Sequence, residues 1–170
     1  MTRKGRSKHY PKKPVRKGTG WQTAKARWEG VAAPIKWLLE NEKRPEPYTE
    51  RVLDYGCGRG QDAETFGWQK YDPNWFPEHP LSNPLIEGGY EYIYCIYVLN
   101  VLPDPDDRAF IIRDLQRLLT DQGIAYIAIR ADTKIDKVKH QVRINEADHP
   151  KLQVIEKNSR FLIWKVMKNG

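Results

Sequence analysis

The chain has almost no cysteine. Two occur in 170 residues, Cys57 in a glycine-rich stretch and Cys95 in an apolar run, which makes neither a disulfide framework nor a thiolate metal site. A reducing, cytoplasmic setting is expected. Long hydrophobic runs are missing too: the longest, residues 92–102, is too short to cross a bilayer. No apolar segment follows the basic N-terminus to make a signal peptide. The sequence therefore predicts a soluble protein with no membrane contact. The histidines, His9, His79, His140 and His149, show no ligand spacing; each reads as a surface or loop residue, and no bound metal is expected.

Acidic residues are absent from one region only. Residues 1–20 hold eight Lys/Arg and no Asp or Glu, whereas the rest has 21 bases against 22 acids. The net charge of +7 thus belongs to a tail, one that also carries Gly5, Pro11, Pro14, Gly18 and Gly20 and has little apolar surface to bury. The expected organisation is a flexible basic tail over residues 1–20 and one domain over residues 21–170.

What is present is an alternation of strand and helix signals. Short helices are expected at 23–29 and 33–41, the second with Pro34 in its first turn, and Trp28, Val31, Ile35, Leu38 and Leu39 fall near one helical face. A strand at 51–55 passes abruptly into Asp54-Tyr55-Gly56-Cys57-Gly58-Arg59-Gly60, and a short helix at 61–66 leads to a second strand ending at Asp72. Residues 73–89, with four prolines, read mostly as loop. A strand at 90–98 follows, then a helix begun by Asp104-Pro105 and carrying Ile111, Leu115, Leu118 and Leu119 toward the core. Gly123 reads as that helix's stop, residues 124–130 as a buried strand, and 152–156 with 160–168 as a closing hairpin. The predicted fold is α/β: a Rossmann-like, doubly wound, mostly parallel sheet with an antiparallel C-terminal hairpin and a short or missing third strand.

Ligands of such sheets bind beyond the carboxyl ends of the strands where strand order reverses. The glycines of the 56–60 loop let backbone approach a ligand closely. A dinucleotide fingerprint requires a third glycine where this chain has Gln61. Asp54 would also repel a pyrophosphate, whereas a cofactor bearing an ammonium and a sulfonium welcomes it. Asp72 follows Asp54 by 18 residues, close to the spacing at which such an acid grips ribose hydroxyls.

Val52-Leu53-Asp54-Tyr55-Gly56-Cys57-Gly58-Arg59-Gly60 resembles the first motif of class I methyltransferases dependent on S-adenosyl-L-methionine (SAM), and Tyr71-Asp72-Pro73-Asn74 resembles their second. The wider pattern, Thr23-Ala24-Lys25, Asp72-Pro73, and Tyr97-Val98-Leu99-Asn100-Val101-Leu102 followed by Asp104-Pro105-Asp106-Asp107-Arg108, is similar to the DNA phosphorothioation-associated methyltransferases and phage relatives. The resemblance implies SAM as cofactor. It implies that Asp54 and the backbone of Tyr55, Gly56, Cys57, Gly58 and Gly60 hold its methionine end, with Asp72 and Pro73 at the ribose. Tyr97, Val98 and Leu99 would line the pocket. Two departures are the very short first crossover helix and the absence of a recognisable third strand, which carries the adenine contacts in the family.

Tyr97 and Asn100 are the candidate catalytic residues. Tyr97 lines the site or fills the core, and Asn100 orients an acceptor through its amide oxygen or caps a turn. Arg59 pairs with a carboxylate or is solvated. Thr23, Lys25 and Arg27 form a lid or a solvated helix face. The chain lacks the Pro-Cys pair of cytosine-C5 methylation and the Asn/Asp-Pro-Pro-Tyr motif that holds an exocyclic base amine. The basic tail suggests DNA or RNA contact through phosphates, against a merely solubilising terminus. The acceptor is otherwise open between nucleic acid, a small molecule and a protein, and a non-catalytic SAM-binding module is a further alternative.

Overall fold

The computed structural model describes residues 30–80, 89–132 and 141–170. The basic tail, the expected helix at 23–29, the lid residues Thr23, Lys25 and Arg27, and His9 and His140 lie outside them. The first described helix, α1, covers Ala33–Asn41 with Pro34 in its opening turn, as the sequence pattern predicts. Ala32 brings no capping side chain, so its N–H donates instead to Oδ1 of Asp62 at 3.0 Å. Asp62 is a buried acid from the helix after the first strand, and it sets negative charge at the positive end of α1.

Strand β1 (Val52–Tyr55) is buried along its whole length, as expected of a parallel strand covered on both faces. Helix α2 (Gln61–Phe66) leads to the short strand β2 (Gln69–Tyr71), after which Asp72 bridges to Phe76. Strand β3 (Tyr90–Ile96) and a 3₁₀ turn at Leu99–Val101 come next. Helix α3 (Pro105–Leu118) starts where expected, Asp104 accepting from the N–H of Asp106 at 2.9 Å. Strand β4 (Leu119–Arg130), a 3₁₀ turn at Glu146–Asp148, and strands β5 (Gln153–Lys157) and β6 (Phe161–Met167) complete the chain.

Two boundaries differ from expectation: β3 ends at Ile96 rather than at Val98, because Tyr97 takes left-handed backbone, and α3 stops earlier than expected. Helix α3 ends at Leu118 and the chain passes directly into β4, so Leu119 and Gly123 belong to a strand rather than to a helix and its stop. The pairing of β3 with β4 jumps from Tyr90↔Leu119 to Tyr92↔Ile124, an irregularity that crowds Gly123 against β3. A Cβ there would lie 2.5 Å from the carbonyl oxygen of Tyr90. Glycine is required at 123 for close approach, not for a helix cap.

The six strands lie in the order β2-β1-β3-β4-β6-β5. Four neighbours run parallel from β2 to β4, and β6 is antiparallel to both β4 and β5. The hairpin turns on Asn158, whose Oδ1 accepts from the N–H groups of Arg160 (2.9 Å) and Phe161 (3.0 Å). Core residues cover both faces, among them Leu53, Ile93, Leu115, Ile127 and Trp164 on the α3 side and Ile35, Leu38, Val52, Tyr94 and Tyr126 on the α1 side. This is the doubly wound arrangement. Among the described residues no strand lies outside β2, and no helix is long and apolar enough to cross a membrane.

Candidate functional site

From β1 the chain crosses to β2 on one side and later returns to β3 on the other, so strand order reverses at β1. Beyond the carboxyl ends of these strands lie the 56–60 loop, the 72–76 turn and Tyr97-Val98. In the first, Gly56, Gly58 and Gly60 all have left-handed backbone, with φ of 73°, 55° and 76°. Gly56 also closes a seam: a Cβ on it would fall 2.3 Å from Cγ2 of Val98.

The glycine loop and the end of β2 are tied together. The N–H groups of Gly56 and Cys57 both donate to the carbonyl of Tyr71, at 2.7 and 3.0 Å. Oδ2 of Asp72 accepts from the N–H of Gly58 at 2.9 Å, and Oδ1 accepts from Asn74 (2.8 Å) and Trp75 (3.1 Å). Asp72 is buried. Burial pushes its pKa above the ordinary carboxylate value, and the three N–H bonds only partly offset that. Asp54 is buried as well, aligned between Lys70 of β2 and Tyr94 of β3. Burial first, and then the charges of Asp54 and Asp72, raise the pKa of the Cys57 thiol far above its usual range, which favours the protonated thiol.

The expected site residues do not all point the same way. Gly56, Cys57, Gly58, Asp72 and Val98 form one connected set, Gly60 closes the loop by donating to the Cys57 carbonyl, and Pro73 starts the turn beside it. Tyr55 and Leu99 direct their side chains into the core on the α3 side, leaving only backbone to face the crevice. Tyr97 holds φ 61° although it is not glycine, and its N–H donates to Ala128 at 2.8 Å. Left-handed backbone in a bulky residue is strained by about 1–3 kcal/mol, and such strain gathers at ligand sites.

Asn100 is completely buried. Its amide nitrogen donates to Oε1 of Gln141 at 3.3 Å, while its amide oxygen has no hydrogen-bond partner among the described residues. Gln141 also accepts from Arg130, which forks onto Asp132 at 2.8 and 2.9 Å. A polar network thus spans the carboxyl ends of β3 and β4.

Sequence reasoning missed two contacts. The guanidinium of Arg59 lies over the Trp75 ring, 5.1 Å from its centre, a cation–π contact that the Asp72-Pro73-Asn74-Trp75 run hints at only once the turn is known. His79, read as an ordinary loop residue, bonds to the buried Asp114. His149 packs edge-on against Trp164. No group of His, Cys, Asp or Glu among the described residues has the arrangement of a metal site.

No protein-family profile matches the sequence, and no curated protein resembles it. Solved structures do. Methyltransferases are among the solved structures it resembles. A SAM-dependent methyltransferase from Clostridium acetobutylicum matches with TM-score 0.49 and 13% identity, over 81% of this chain and 89% of that one. A T. thermophilus 16S rRNA methyltransferase bound to AdoMet and guanosine matches with TM-score 0.45 and 16% identity, over 79% of this chain and 38% of that one. A Haloferax volcanii methyltransferase in complex with a methyltransferase activator matches with TM-score 0.47 and 14% identity, over 74% and 70%. These are likenesses of fold, and the chemistry of the site rests on its own residues.

Proposed function

We propose that the chain is a SAM-dependent methyltransferase whose cofactor lies across the switch point, between the 56–60 loop, Asp72-Pro73 and Val98. The observation that carries this is the buried carboxylate of Asp72 bonded to Gly58, beside a second buried carboxylate at Asp54. Two buried carboxylates at adjacent strand ends favour a positively charged ligand over an anionic one, and SAM offers an ammonium group, a sulfonium and ribose hydroxyls. In this assignment Asp54 and the loop backbone face the methionine end and Asp72 the ribose. Cys57 and Gly60 shape the loop, and Tyr55 and Leu99 contribute backbone alone.

When bound, SAM supplies a methyl group on a positively charged sulfur, which needs an aligned acceptor and exclusion of water more than it needs a protein nucleophile. Tyr97 and Asn100 form the acceptor side. The strained backbone of Tyr97 turns the chain at the end of β3. The unpaired amide oxygen of Asn100 is a buried acceptor whose cost, about 1–3 kcal/mol, a donor on the incoming substrate would relieve. A nucleic-acid substrate, with the 1–20 tail on its phosphates, is the favoured acceptor class. It agrees with the resemblance of the 97–108 pattern to phosphorothioation-associated methyltransferases and with the rRNA substrate named for one structural neighbour. A SAM-binding module without turnover is the second candidate, favoured by the six-residue α2 and the edge position of β2.

Incubating the protein with labelled SAM and separate pools of nucleic acid, protein and small molecules decides between them. Label moved to nucleic acid, lost at high salt or on deleting residues 1–20, supports the first; tight SAM uptake with no transfer supports the second. Asp72→Ala weakens SAM binding by about 1–3 kcal/mol, roughly 5- to 150-fold, because it leaves ribose hydroxyls and loop N–H groups unpaired. Calorimetry across pH adds a second signature. Hydroxyl donors favour the ionised acid, so affinity falls as pH drops and Asp72 takes up its proton. Because burial raises its pKa, the decline begins above the ordinary carboxylate range near ~4. A flat profile removes Asp72 from the site.

A further inference from the structure

Four side chains close a ring beneath the glycine loop. The hydroxyl of Tyr55 donates to Oδ2 of Asp114 at 2.8 Å, and Nε2 of His79 meets the same oxygen at 2.8 Å. The His79 ring stands edge-on to Tyr71 with centroids 5.0 Å apart, and Tyr71 stands edge-on to Tyr55 at 4.9 Å. Tyr55 immediately precedes Gly56 and Tyr71 immediately precedes Asp72, so the ring joins the roots of both loops that flank the crevice. His79 lies three residues past the turn that Asp72 begins. A carboxylate oxygen only accepts, so the imidazole nitrogen facing Asp114 carries a proton.

The energetics favour a purpose beyond packing. The Asp114 side chain is 1% exposed, and a buried carboxylate is costly unless its oxygens are satisfied. Burial pushes its pKa up, but hydrogen bonds from His79, Tyr55 and Arg117 more than offset this and hold it below the usual carboxylate value. Arg117, on the other oxygen at 2.5 Å, is 60% exposed and lies on α3, outside the ring.

We infer that His79, held by Asp114, is a positioning residue that fixes the 72–79 segment so that the Asp72 carboxylate stays on Gly58. Its consequence for the cofactor rests on the function proposed above; the positioning itself does not. The His79 bond holds the end of the segment opposite Asp72, beyond the contacts of Trp75 with Arg59 and of Phe76 with Lys70.

The test uses the full chain and two readouts: amide hydrogen exchange at Gly58, Asn74 and Trp75, the donors to Asp72, and SAM affinity by calorimetry. His79→Ala speeds exchange at these amides about tenfold and weakens SAM by a similar factor, as expected for losing one hydrogen bond to a charged group, while exchange in the β4 core is unchanged. His79→Gln, which keeps a donor, restores most of both. Arg117→Ala, which removes an Asp114 partner outside the ring, alters neither. Unchanged exchange in His79→Ala overturns the inference, and so does an equal rise in Arg117→Ala. Faster exchange in a protein that takes up no SAM upholds the positioning of Asp72 and sinks the cofactor assignment instead.

Discussion

Replacing Gly56 with alanine lowers SAM affinity about 30-fold or more, on the sum of two penalties of about 1–3 kcal/mol each, strained backbone and overpacking. The residue has φ 73°, and a methyl group there would lie 2.3 Å from Cγ2 of Val98. Val98 is not the flexible end of a long side chain but a β-branched residue two positions past β3, beside the strained Tyr97. Relief therefore comes from moving the loop, and loop movement pulls on the N–H bonds that Gly56 and Cys57 make to Tyr71 and that Gly58 makes to Asp72. Calorimetry with SAM measures the loss, and thermal unfolding shows whether the fold survives it. Because the seam lies at the rim of the sheet rather than within it, the fall in affinity exceeds the fall in stability. A Gly56→Ala protein that binds SAM normally places the cofactor elsewhere.

The second large effect is on stability. Gly123→Ala costs about 3 kcal/mol, the upper part of the range for overpacking a tight site, and lowers Tm by roughly 6–12 °C for a chain of this size. The added methyl would meet the Tyr90 carbonyl oxygen at 2.5 Å and the side chains of Leu119 and Thr120 at 3.0 Å. The carbonyl is the obstacle that cannot step aside, because it belongs to the central β3–β4 pair. Were Gly123 a helix stop, as its sequence setting suggests, alanine would cost a few tenths of a kcal/mol to about 1. A thermal melt separates the two accounts directly.

Gly123 also shows where reading the sequence reaches its limit. The bounds of α1 and α2 are legible because local chemistry sets them: Pro34 opens one, and Gly60 and Gly67 bracket the other. The α3 start at Asp104-Pro105 is legible for the same reason. The end of α3 is decided by a neighbouring strand, and a glycine demanded by crowding looks in sequence like one demanded by a cap. The candidate site divides along the same line. The loop with its acids, Asp54 and Asp72, is a local pattern. The His79–Asp114 bond joins residues 35 apart, and nothing near either one announces its partner. Tyr55 and Leu99 stand in motifs that suggest the pocket, and their side chains pack into the core, Tyr55 from the end of β1 and Leu99 from the 3₁₀ turn after β3.

Strand β2 has three residues and forms the border of the sheet among the described residues. An open border invites foreign strands to add on, and proteins guard against this by keeping border strands short. Here the chain folds back after Tyr71 through the Asp72↔Phe76 bridge, leaving too few free backbone groups in a row to template a second molecule. Among the described residues the sheet thus ends on a border too short to seed self-association.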